Sequence, residues 1–137
     1  MLVDNDLNIE NLETVEITIS NSQFGIVSPD SVAIANIIDN DSSNAILTIT
    51  STIDGIESPS PIDAEFVISF QNGLQNQTGG DITGTMAISG TATDALDFVS
   101  VNTFVIPDNS LSAVIPFPIL DDILQEGDET IVVELLT

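Results

Sequence analysis

The chain has 137 residues, 22 of them Asp or Glu and none Lys, Arg or His, for a formal net charge of −22. An ordinary chain of this length carries on the order of 16 basic residues; without any, this one cannot hold DNA or RNA by displacing counterions from phosphates, nor dock on an anionic membrane surface. Cys, Trp and Tyr are absent too, which excludes thiol chemistry and leaves acid–base work to carboxylates, but 42% of the residues are hydrophobic, enough to bury a core rather than stay disordered.

Along the chain the apolar residues recur with period two, the signature of strands, and not with the 3.6 of a helix. A first acidic group, Asp4, Asp6, Glu10 and Glu13, precedes a strand in which Val15, Ile17 and Ile19 alternate with Thr14, Glu16, Thr18 and Ser20. Turn residues at 21–23 and 28–30 lead to a more continuously apolar strand over 32–38, closed by Asp39-Asn40-Asp41. Strands follow at 45–50 and 66–70, with Glu57 and the turn Ser58-Pro59-Ser60-Pro61 between them. Residues 71–81, rich in Gly, Asn and Gln, read as a long mobile loop carrying the one glycosylation sequon, Asn76-Gln77-Thr78. Further strands are expected at 82–88, 103–106, 113–120 and 130–136; Asp97 falls in the turn after the first of them, and Asp121, Asp122, Glu126, Asp128 and Glu129 precede the last. No stretch makes an amphipathic helix and no apolar run reaches the roughly 18 residues of a membrane span. The pattern predicts an all-β antiparallel sandwich with polar faces outward and no significant helix.

The chain also echoes itself. Asp6, Glu10, Glu13 and Thr14 recur as Asp122, Glu126, Glu129 and Thr130, an offset of 116 residues throughout, and Val15 and Ile17 recur as Ile131 and Val133. A period of this size suits tandem β-sandwich domains. Residues 1–41 are therefore expected to be the C-terminal strands and acidic junction of a preceding repeat, and 42–137 a sandwich lacking its last strand. The acids themselves are clustered. Closely spaced carboxylates with no Lys or Arg beside them repel one another unless a cation sits among them, and hard divalent cations take six to eight oxygens. A merely solvated acidic loop is the other reading of the same clusters. EF-hand loops do not fit: counted from Asp4, the sixth position is Ile9 and not Gly, and the twelfth is Val15 and not Glu.

Five motifs, Gly90-Thr91-Ala92-Thr93, Asp97-Phe98, Ile106-Pro107, Ile119-Leu120-Asp121-Asp122 and Glu126-Gly127-Asp128-Glu129-Thr130, together resemble the Calx-beta domain, a family named for the calcium-binding segments of sodium–calcium exchangers and found in tandem in large surface proteins. The resemblance covers 45–137 as the front of one repeat and 1–41 as the tail of another. It implies a seven-stranded immunoglobulin-like sandwich with calcium (Ca2+) at one end. The ligands it implies are Glu57, Asp97, Asp121, Asp122 and Glu126, and for the preceding repeat Asp6, Glu10, Asp39 and Asp41. Glu13, Asp128 and Glu129 would be solvated or sit behind the ligands. Two departures stand out: Ala95 replaces the Gly usual before the Asp-Phe pair, and in the first copy Asn5 replaces one paired Asp while Asn11-Leu12 replace Gly-Asp.

The expected function is that of a non-enzymatic, calcium-binding structural repeat of an extracellular surface, adhesion or filament protein. Its expected partners are neighbouring copies or adjacent repeats of the same protein, with no nucleic acid and no membrane insertion. Residues 39–44 span at most about 21 Å when extended, short of the roughly 25–35 Å between the ends of such a sandwich. The segment 13–38 is therefore expected to pair with the open edge of a neighbouring copy, head to tail. The alternative is a module that binds a carbohydrate or another cell-surface ligand, for which six Phe and no Trp or Tyr offer few exposed rings. A glycosidase built on two carboxylates would need a cleft and a sugar platform.

Overall fold

In β5 (Ala64–Phe70), Ala64, Phe66, Ile68 and Phe70 are buried while Glu65, Val67 and Ser69 are half-exposed, the alternation that lets a strand put one face into a core. A computed structural model describes residues 3–19, 25, 32–42 and 45–136. In chain order the strands are β1 (Asn8–Glu10), β2 (Glu13–Thr18), β3 (Val32–Ile37), β4 (Leu47–Ile53), β5, β6 (Gln75–Gln77), β7 (Ile82–Gly90), β8 (Thr103–Ile106), β9 (Ser112–Phe117) and β10 (Ile131–Leu135). Helical geometry among the described residues is confined to short 3-10 turns such as Gln71–Gly73.

Two three-stranded antiparallel sheets, β4-β5-β9 and β10-β7-β8, form an all-β sandwich. Ile68, Ile106 and Phe117 are fully excluded from water between them, with Phe66, Phe98 and Phe104 alongside. Phe66 meets Phe117 edge to face at 5.2 Å between ring centroids. Each such side chain contributes roughly 1.5–3 kcal/mol by leaving water. Gly90, at φ +131°, ends β7 where it passes the start of β10; a Cβ there would lie 2.0 Å from the Thr130 carbonyl oxygen, so only glycine permits the crossing.

The core is not equally closed on all sides. β9 lies beside β8, and β4 beside β10. Leu47 and Ile49 of β4 and Ile131, Val133 and Leu135 of β10 are only half-buried against the core. Among the described residues β10 pairs only with β7, and β4 only with β5. A seam therefore runs along the sandwich between two strand edges that carry no ladder partner among the described residues.

The segment before β4 has two parts. β1 adds to β6 as a short parallel pair and buries Ile9 in the sandwich core. β2 and β3 form an antiparallel pair, from Glu13 opposite Ile37 to Thr18 opposite Val32. Almost all of its residues are exposed, including Ile17 and Ile34 at 62% and 64%.

Residues 71–81 differ from the mobile loop expected. Leu74 is buried, and Asn76 has no exposed surface. The Asn76 amide nitrogen donates to the Gly80 and Ile106 carbonyls at 2.9 and 3.1 Å, and its oxygen accepts from the Thr78 amide and hydroxyl. Asn76 thus satisfies the backbone of a tight connection from the inside. The sequon's asparagine is a structural plug and offers no free amide for a sugar.

Candidate metal centre

The acids gather at the end of the sandwich where β5 and β10 begin and β9 ends. Three connections meet there, and each is locked by its own backbone bonds. In the β4–β5 connection, Ile56 and Ile62 exchange amide–carbonyl bonds at 2.9 and 3.0 Å, which presents Glu57 at the turn. In the β7–β8 connection, the amides of Leu96 and Asp97 donate to the Thr93 carbonyl, and the Thr93 amide donates back to the Asp97 carboxylate at 2.6 Å. Phe98, 2% exposed, pins this turn to the core. Ala95 has φ 65°, the left-handed conformation that glycine adopts freely and alanine at about 1–2 kcal/mol. That is the physical reason a Gly suits this position.

In the β9–β10 connection, the Leu120 amide donates to the Asp97 carbonyl at 2.9 Å and the Ile119 amide to the Asp63 carboxylate at 3.1 Å. The Asp122 amide donates to the Glu57 carboxylate at 3.1 Å, so two of the three connections are stitched together by a candidate ligand. At the far end of the same connection the Thr130 amide donates to the Thr91 hydroxyl at 2.9 Å.

These anchors bring five carboxylates together. Glu57, Asp122 and Glu126 offer oxygens within 4.8 Å of one another, and so do Asp97, Glu126 and Glu129. Glu126 belongs to both groups. Its carboxyl titrates above the usual range, first through desolvation and then through the charges of Asp97, Asp122 and Glu57. Glu129 is raised as well, first by a hydrogen bond shared with Asp97, then by desolvation and by the charges of Asp97, Glu126 and Glu57. Behind these leading causes both shifts share a smaller contribution from anions held close with no Lys, Arg or His in the chain to offset them. A cleft of about 830 Å³ runs inward from the acids to Phe66, Phe98 and Ile119.

Four residues expected from the sequence, Glu57, Asp97, Asp122 and Glu126, thus lie in one cluster. Asp121 is exposed and belongs to neither group. Glu129, expected to be solvated or behind the ligands, stands in the cluster; its position three residues after Glu126 was the available signal.

The first acidic group is built differently. Asp39 accepts hydrogen bonds from the amides of Glu10, Asp41 and Ser42 at 3.1, 2.9 and 2.9 Å, and from the Ser42 hydroxyl. Desolvation pushes the Asp39 carboxyl up, but the bonds from Ser42, Asp41 and Glu10 outweigh it and hold it down at about 2. Asp6 accepts from the amide and the side chain of Asn8. Glu10 titrates above the usual range through desolvation and the charges of Asp6, Glu13 and Asp39. Asp6, Glu10, Asp39 and Asp41 surround a hollow of about 120 Å³, but no three of them bring oxygens within 4.8 Å of one another. Asp39 acts here as a bracket tying the end of β3 to β1.

No protein family, curated protein or solved structure matches the chain. Among the described residues no helix is long and apolar enough to cross a membrane.

Proposed function

We propose that the chain is a calcium-binding structural repeat of the Calx-beta type, from an extracellular surface, adhesion or filament protein. In this role Glu57, Asp97, Asp122, Glu126 and Glu129 hold the ion and stiffen the end of the sandwich where a neighbouring repeat joins. One observation carries the proposal: carboxylates from three separate connections converge although the chain holds no cation to draw them together. A hard divalent ion takes oxygens in this number and removes the repulsion among them. The alternative module for carbohydrates lacks comparable support. Phe66, Phe70, Phe98, Phe104 and Phe117 are all buried, which leaves no aromatic platform among the described residues.

Calcium bound to the folded chain alone stabilises it by about 2.7 kcal/mol at a hundred times its Kd, on the order of 10 °C in Tm for a domain of this size. Thermal melting across a calcium titration, with a chelator as baseline, measures this. A Tm indifferent to millimolar calcium would refute the metal role.

A further inference from the structure

We propose that a notch in the edge of β7 takes an extended, Lys- or Arg-bearing peptide segment of a partner protein, which lies antiparallel to β7 beside Ile88. The notch is made by one internal stretch of the chain, residues 86–102. β8 pairs with β7 only from Ile82 opposite Ile106 to Thr85 opposite Thr103, and the Met86 amide then takes the Asn102 carbonyl at 2.8 Å. Just before Asn102 the chain is tied to the other sheet: the Val99 amide donates to the Pro118 carbonyl at 2.8 Å, and Phe98 bridges to Ile119. Residues 99–102 thus cross between the sheets. β7 runs on to Gly90 with β10 on one side and, among the described residues, no strand on the other.

The ladder sets the polarity of this edge. The Thr85 carbonyl and the Thr91 amide bond Leu136 and Thr130, so odd-numbered positions of β7 turn their polar groups toward β10. Those of Met86 and Ile88 face the notch. Asn102 satisfies the Met86 amide, while the Ile88 amide and carbonyl meet no partner among the described residues. Met86 and Phe98, 4% and 2% exposed, form an apolar floor with the half-buried Ile88. Asp94, Ser100 and Asn102 stand around it, and the hollow measures about 350 Å³, at the lower end of the range for ligand pockets, about 300–1,000 Å³.

These features define the occupant. An open amide and carbonyl on a strand edge are a template for another strand. A second copy of the chain is a poor one, since each copy carries −22 and no Lys, Arg or His. Asp94 is an anion at the notch: the Ser100 amide and hydroxyl donate to its two oxygens at 2.9 Å each and hold its carboxyl below the ordinary range. Like charges across a contact oppose binding and opposite ones favour it, so the partner must bring the cation. An aliphatic residue opposite Ile88 exchanges both backbone bonds with it and sets its side chain over Met86 and Phe98. Residues two places along the segment share that face. A Lys or Arg there lies beyond Gly90, where the connection carrying Asp94 leaves β7.

The probe is the peptide acetyl-Lys-Thr-Ile-Thr-Lys-amide. It is titrated into the full chain with chelator present, at about 0.1 M salt, where charges within about 10 Å still attract, and followed by amide NMR. The Ile88 amide is expected to shift and to exchange with solvent severalfold more slowly. N-methylation of the central Ile of the peptide removes the donor to the Ile88 carbonyl and should weaken binding about tenfold, with no change to the protein. Asp94→Asn should weaken it about two- to fivefold, and acetyl-Glu-Thr-Ile-Thr-Glu-amide should leave Ile88 unmoved. Shifts confined to Glu57 and Glu126, equal binding of the acidic or the N-methylated peptide, or an Ile88 amide already protected in the peptide-free chain, whether by the chain itself or by a second copy, would overturn the proposal.

Discussion

β2 and β10 share a pattern and differ in fate. At matching positions Val15 and Ile17 sit on a two-stranded pair and Ile19 just past its end, with Ile17 and Ile19 exposed, while Ile131, Val133 and Leu135 lean on a core. Alternation makes both segments strands, but only β10 has a sheet across from it, which leaves its apolar face half-buried. The acids beside the two strands diverge in the same way. Asp39 near β2 spends its oxygens on amides and a hydroxyl of its own junction. Glu126 beside β10 faces other carboxylates from two further connections. A carboxylate filled by local donors is a structural bracket, and one crowded by its peers is a candidate ligand.

The largest expected effect separates the two strand environments. Phe117→Ala opens a cavity in the sandwich and should cost about 3–5 kcal/mol in urea unfolding, whereas Ile17→Ala on the exposed pair should stay within about 0.5 kcal/mol. Equal losses would mean that the hairpin is packed against something in solution. Next in size is the response to calcium. Glu126→Gln removes the member common to both groupings and should abolish most of the calcium-induced rise in Tm while slightly raising the calcium-free value. Asp6→Asn should leave the rise intact, since Asp6 already bonds Asn8; differential scanning fluorimetry distinguishes the two variants.

The smallest effect is one of pH, and its sign differs between the regions. The Asp39 carboxyl is held at about 2 in the folded chain, below the unfolded value near 3.9. Its contribution is therefore fully present above about pH 4 and lost as the pH falls through about 2. Glu126 and Glu129 are raised above their ordinary value, so the folded chain takes up protons there first. Without calcium, mild acidification through the upper carboxylate range should stabilise the sandwich, as the repulsion is titrated away. Amide shifts of Glu10 and Ser42 follow the first transition by NMR, and the calcium-free Tm follows the second. A junction that loosens before pH 4, or a Tm that falls on mild acidification, would erase the contrast.

Much of the fold is legible in the residues themselves. β5, β7, β8, β9 and β10 fall where period-two alternation predicts them, because alternation needs only a strand's own geometry. Residues 71–81 resisted such a reading because Asn76 takes its meaning from the Ile106 carbonyl, thirty residues further along and on another strand. The site divides similarly. Excess acid and its clustering are visible in the sequence, as are Glu57, Asp97, Asp122 and Glu126 one by one. That Asp122 enters the cluster while its neighbour Asp121 does not, and that Glu129 joins, depends on how the β9–β10 connection is turned by bonds to Glu57, Asp97 and Thr91.

By itself the sequence determined strands and a charge of −22 that nothing in the chain can balance. Both are sums over local residues and need no partner to be counted. Which strands share a core and which carboxylates face each other came from the packing of the chain. Those are contacts between segments dozens of residues apart, set by how the two sheets pack.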